Sequence, residues 1–134
     1  MTPDALFNQL RYLQELYTQR YEVLESEIAT YSMAINAVER NIQTLEGTAQ
    51  LENTSILVGE SGMYLNAAVK KIEKIITYIG AGYLVEKSVD EAKDFMKVNS
   101  DKHKEGMKKL TAEKQKIEKE LVSISYKLSE LQNR

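Results

Sequence analysis

From Tyr21 the apolar residues fall at Tyr21, Leu24, Ile28, Tyr31, Ile35, Val38, Ile42 and Leu45, alternating steps of three and four without a miss. That is the spacing of a helix that buries one narrow stripe against another helix. A chain carrying it has few folds open to it. Upstream, Leu6, Leu10, Leu13 and Tyr17 hold the same pattern, and the step of four from Tyr17 to Tyr21 reads as a stutter that relaxes a left-handed supercoil. Thr2 followed by Pro3 marks the start of this helix, and Gly47 its end.

The other end of the chain mirrors the first. Val89, Ala92, Met96, Asn99 and His103 lead, through a second step of four, into Met107, Leu110, Lys114, Ile117, Leu121, Ile124, Leu128 and Leu131. Ser88 with Glu91 three residues on is a capping-box pair, so a second helix starts near residue 88. Each arm is on the order of 43 residues, or roughly 65 Å at 1.5 Å per residue. Neither stripe is stable uncovered, and two arms of equal length cover each other as an antiparallel hairpin. The expected organisation is one domain over 1–134: a coiled-coil helix at 1–47, a different element at 48–87 and a coiled-coil helix at 88–134. Asn99, His103 and Lys114 are polar members of the second stripe and are expected to hold one alignment of the hairpin, because polar core positions specify register.

The middle stretch reads as β-strands. Segments 56–58, 63–69, 74–79 and 83–87 are short and rich in β-formers, separated by GESG, KKIE and GAG. Four such strands make two β-hairpins. Gly80 and Gly82 supply the positive backbone angles for a turn between Ile79 and Tyr83. Apolar side chains fall on both faces of the strands, at Ile56, Val58, Tyr64, Leu65, Val69, Ile75, Ile76, Ile79, Tyr83 and Val85. An isolated hairpin is marginal in water and its edges are open. These residues are therefore expected to form an assembly surface that takes strands from partner subunits.

Composition removes several function classes. With 28% charged residues and a net charge of -2, nothing advertises a polyanion partner. Lys102, Lys104, Lys108, Lys109, Lys114, Lys116 and Lys119 are interleaved with Glu105, Glu113, Glu118 and Glu120, the pattern of a solvated helix face. There is no cysteine, hence no thiolate metal site, and a reducing, cytoplasmic setting is expected. No run approaches the roughly 18 apolar residues that span a bilayer, so no membrane is expected. His103 is the only histidine and has no second ligand within helical reach, so neither a metal nor a general base is expected there. Gly80-Ala81-Gly82 lacks a third glycine and leads into a strand, which makes it a turn and not a phosphate loop. No catalytic constellation, metal or cofactor is expected, and the chain does not read as an enzyme.

The order helix, two hairpins, helix, with GAGYLVEKSVDEA at 80–92 closing the second hairpin and opening the second helix, resembles the α-class subunit of the prefoldin family. The family's first hairpin follows L-V-P-[IL]-G-x-G-S-[FY]; ILVGESGMY at 56–64 keeps Gly62 and Tyr64, with Val58 in place of the proline and Glu60 in place of the first glycine. The resemblance implies a hexamer of two α-class and four β-class subunits, whose hairpins build a double β-barrel platform bearing six coiled coils. It further implies an ATP-independent holdase that grips unfolded polypeptides at the coiled-coil tips and hands them to a group II chaperonin. The alternative is a coiled-coil scaffold or tether that assembles in the same way but binds one specific folded partner. A basic coiled-coil arm for RNA is disfavoured by the net charge.

The tip residues are the candidates for client contact. The first arm carries Leu6, Phe7, Leu10, Tyr12, Leu13, Leu16 and Tyr17, and the second ends in Ile124, Tyr126, Leu128 and Leu131. That is more apolar surface than a two-stranded seam encloses. Phe7, Tyr12 and Leu16 lie off the Leu6-Leu10-Leu13-Tyr17 seam and are expected to face outward as a client surface. Leu6, Leu10, Leu13, Ile124, Leu128 and Leu131 complete the set while also serving as seam core.

Overall fold

The computed structural model describes residues 2–133. Two long helices frame four strands in the order α1 (Pro3–Thr48), β1 (Glu52–Glu60), β2 (Met63–Lys71), β3 (Ile75–Gly80), β4 (Tyr83–Lys87) and α2 (Val89–Gln132). The chain divides into two compact units, one holding the helix segments up to Ala34 and from His103 onward, the other Ile35–Lys102. Both helix starts are capped by side chains. The Ala5 N–H donates to Thr2 Oγ1 at 3.1 Å and the Glu91 N–H to Ser88 Oγ at 3.2 Å, each satisfying a donor that the first turn leaves orphaned.

In the first unit the helices run antiparallel, because Gln14 meets Ser125, Arg20 meets Glu113 and Tyr31 meets His103. Leu10, Ile124 and Leu128 form a buried cluster against which Phe7, Leu13, Tyr17 and Leu131 pack, and Leu24 is fully enclosed. The seam departs from the expected one at its start. Phe7 turns inward and Leu6 outward, while Gln14 is half-buried with its side-chain amide donating to Ser125 Oγ at 3.4 Å. Positions 7, 10, 14, 17, 21 and 24 alternate steps of three and four, so the first arm has no stutter at Tyr17. Gln14 is a seam residue that an apolar count passes over.

The α2 seam shifts in the same way. Ser100 is only 4% exposed whereas Asn99 is half-buried, so the core position falls one residue later than expected. A hydroxyl is easier to enclose than an amide with its several hydrogen-bonding sites. At the far end of α1 the helix passes through Gly47, which keeps a negative φ, and finishes at Thr48. Its last carbonyls are taken by the Ala49 N–H, donating to the Leu45 carbonyl at 2.8 Å, and the Leu51 N–H, donating to that of Thr48 at 3.0 Å. No left-handed residue is needed there.

The second unit carries two separate two-stranded antiparallel sheets, β1-β2 and β3-β4. The β1-β2 register runs from Glu52↔Lys71 to Glu60↔Met63. β1 is longer than the expected 56–58 and absorbs Gly59 and Glu60, leaving Ser61 and Gly62 as a two-residue turn. Both have positive φ, 55° and 87°, the signs of the turn whose twist matches a hairpin. Gly59 is required as glycine, since at φ 150° a Cβ would collide with the backbone carbonyl of Met63. The second hairpin repeats the device with Ala81 and Gly82, at φ 52° and 81°, after a bulge between Tyr78 and Gly80.

Candidate functional site

Two apolar surfaces stand out, one in each unit. At the chain ends, the enclosed cluster of Leu10, Ile124 and Leu128 spills onto the surface. Leu6 lines an open groove with Leu10, Lys127, Glu130 and Leu131, and Leu16 borders another with Tyr17 and Ile117. Tyr12 is 62% exposed and Leu16 44%, and neither belongs to the cluster. The structure thus gathers Phe7, Leu10, Leu13, Ile124, Leu128 and Leu131 into packed core and its margin, and leaves Leu6, Tyr12 and Leu16 outward. Phe7 is corrected from outward-facing to packed, because the frame that includes Gln14 rotates the first turn. Tyr126 and Val122, one turn apart on α2, are also exposed.

Below this cluster the helices are joined by polar pairs. Arg20 donates to both oxygens of Glu113, from Nε at 2.9 Å and from Nη2 at 3.1 Å. That pairing holds the Glu113 carboxyl below its ordinary range and raises the Arg20 guanidinium above its own. The Tyr21 hydroxyl donates to Glu118 Oε1 at 3.1 Å. Set between two carboxylates, with Glu25 the larger influence, then desolvation and Glu118, this phenol is pushed up to about 12. Lys114 is a seam residue whose Nζ lies 3.6 Å from Glu25 Oε1 and 5.1 Å over the Tyr21 ring. The polar seam residue therefore has partners specific to one alignment.

In the second unit the expected assembly residues are displayed. Side chains of directly paired residues share a face, so Thr54, Ile56, Val58, Leu65, Ala67 and Val69 make one face of the first hairpin, apolar but for Thr54. Ile56, Val58 and Leu65 on it are exposed, and Tyr64 stands exposed on the other face. In the second hairpin Ile75, Thr77, Val85 and Lys87 share one face, with Thr77 buried and Ile75 and Lys87 half-buried. The Lys87 Nζ lies 5.1 Å over the Phe95 ring at the start of α2. The opposite face is open: Ile76 is 67% exposed and Leu84 65%, with Tyr78 between them. Ile79 and Tyr83 are also exposed, and Gly80 and Gly82 take positive φ at the turn.

Sequence inspection missed Leu57, Met63, Tyr78 and Leu84, all exposed on the strands. The signal was present, since Leu57 shares a face with Tyr64, Met63 with Val58 and Leu65, and Tyr78 and Leu84 with Ile76. Among the described residues no acidic, histidine or cysteine group could hold a metal ion, and no helix is long and apolar enough to cross a membrane.

A family model for prefoldin subunits matches residues 17–134. Curated relatives named prefoldin subunit alpha include one from Methanococcus maripaludis strain C5, 33% identical over 95 residues, covering 70% of this chain and 65% of that protein. Another, from Thermofilum pendens, is 40% identical over 77 residues, covering 56% and 60%. The chain thus spans less than two thirds of the length of these two relatives. A third, from Methanobrevibacter smithii, is 25% identical over 134 residues, covering 98% of this chain and 90% of that protein. Among solved structures, a cryo-EM structure of filamentous PFD from Methanocaldococcus jannaschii has the same fold, with a TM-score of 0.56 at 20% identity over 90% of this chain and 96% of that one.

Proposed function

The chain belongs to the prefoldin subunit family, on the side of its α subunits, and on that premise we propose that it is an ATP-independent holdase co-chaperone subunit. Residues 1–134 work as one domain. The exposed strand faces join β-class subunits, two α with four β, in a shared β-barrel platform in the cytoplasm. The apolar chain ends hold unfolded polypeptide, which passes to a group II chaperonin without nucleotide, metal or other cofactor. The protein is not an enzyme, and it takes neither nucleic acid nor membrane as a partner.

The observation that carries this reading is the overflow of the terminal cluster. Leu6, Tyr12 and Leu16 are apolar, exposed and beside an enclosed core that does not need them. Exposed apolar groups of this kind mark interaction surfaces, and a mixed aromatic and aliphatic set suits partners that differ in sequence. The test is suppression of aggregation of several unrelated unfolded proteins by the assembled complex, with Tyr12→Ser/Leu16→Ser as the variant. Helix content and complex mass should be unchanged and capture weakened, since a large apolar side chain fully buried on binding is worth about 1.5 to 3 kcal/mol. Undiminished capture would remove these residues from the client surface. No suppression of any client by the unmodified complex would replace the holdase with a tether for one folded partner.

A further inference from the structure

We propose that Tyr31 and Gly106 form a register lock in the helical pair of the first unit, a knob and a notch that admit one alignment of α1 against α2. Gly106 lies in the interior of α2, where glycine is among the poorest residues for a helix. Its presence there is explained by the facing ring. A Cβ on Gly106 would stand 2.9 Å from Tyr31 Cζ and 3.0 Å from Cε1 and the hydroxyl oxygen, so the end of the ring would have to leave its seat to admit a side chain. One turn earlier on α2, His103 meets the same ring edge-on, with centroids 5.9 Å apart and planes at 62°. The tyrosine is thus seated between an aromatic wall and a place with no side chain.

The rest of the seam does not discriminate alignments in this way. Leu110, Ile117, Ile124 and Leu131 are aliphatic and repeat every heptad, so a slip of seven residues exchanges one such side chain for another. At Tyr31 the same slip puts Asn99 or Glu113 where Gly106 was, and either brings a Cβ that displaces the ring from its seat. It also sets Gly106 against Leu24 or Val38, which do not fill the notch. The lock and the Lys114 pairs therefore select the same register by different means, one steric and one electrostatic. Register decides which α1 residues stand opposite Ile124 and Leu128. Its bearing on client capture rests on the function proposed above, whereas the lock itself does not.

The natural chain has no cysteine, which makes engineered pairs unambiguous. In the whole chain, Gln14→Cys with Ser125→Cys reports the observed register, because those side chains meet across the seam, the Gln14 amide reaching Ser125 Oγ. Gln14→Cys with Glu118→Cys or with Gln132→Cys reports a slip of one heptad either way. Disulfide equilibria in glutathione buffers should give the observed pair a large preference. In Tyr31→Leu/Gly106→Ala, where an ordinary aliphatic layer replaces knob and notch, helix content should persist while that preference falls roughly tenfold. An unchanged preference with intact helices overturns the lock. The contact beneath it is tested separately by thermal unfolding. Gly106→Ala should lower the midpoint in the natural background, against alanine's better propensity, and raise it in the Tyr31→Leu background. The same sign in both backgrounds overturns the contact.

Discussion

The helical seam and the β-hairpins both carry large apolar side chains, yet one is closed and the other open. Leu24, Ile117 and Ile124 are enclosed by residues of the same chain, while Leu57, Leu65, Ile76 and Leu84 stand in solvent. Backbone geometry makes the difference. A helix satisfies its own hydrogen bonds and leaves one stripe to cover, which a second helix of the chain does. A two-stranded hairpin satisfies half of its backbone groups and leaves two edges and two faces. One unit encloses its apolar stripe within a single chain, and the other leaves its strand faces open.

The sharpest way to break that contrast is to put charge on the open face. In Ile76→Asp/Leu84→Asp the aspartates lie where the single chain is already solvated, so helix content and subunit solubility should be unaffected. In an assembly that buries this face each unpaired charge costs several kcal/mol, and the complex with β-class subunits should be lost by native mass measurement. A complex of unchanged mass would mean that the face stays open. The converse change belongs in the closed unit. Leu24→Ala removes a side chain with no exposure and should cost about 2 to 5 kcal/mol. Thermal unfolding of the helices should shift down by several degrees while the strands still recruit partners in the cold. The smallest effect is that of pH, because the polar pairs of the helical unit are solvent-exposed and such pairs contribute little. The raised Tyr21 phenol adds stability that is present below its ordinary 10.0 and lost as pH rises toward about 12. Glu113, lowered by Arg20, adds stability present above 4.5 and lost as pH falls below it. Urea midpoints against pH should show both losses, and Tyr21→Phe should abolish the alkaline one alone.

Most of the seam is legible in the sequence because burial and hydrophobicity coincide there: every residue from Tyr21 to Leu45 in the three-and-four pattern is buried or half-buried. What escapes is the polar minority at buried or close-packed positions. Gln14 sits in the seam through its bond to Ser125, and Ser100 takes the core place expected of Asn99. Gly106 is apolar by absence, its role visible only when Tyr31 is seen across from it. Thr77 is buried on the inner face of β3, and neither its Oγ1 nor the Oγ of Ser100 in α2 finds a partner within the described residues. In the hairpins the turns follow from Gly62 and Gly82, whereas β1 is longer than its β-formers because Gly59 continues the strand at a backbone angle that only glycine tolerates. At the tip, Tyr12 and Leu16 face outward as their spacing dictates, and Phe7 does not because the seam frame was set by a glutamine.

The central claim is that the strands of this chain are completed by partners and its helices are not. Amide hydrogen exchange, read segment by segment in the subunit alone and in its complex with β-class subunits, addresses it directly. The account predicts protected amides along the α1 and α2 seam in both states, with the β1 to β4 amides exchanging quickly in the lone subunit and slowing by orders of magnitude on assembly. Strand amides already protected in a subunit shown by mass to be monomeric would contradict it.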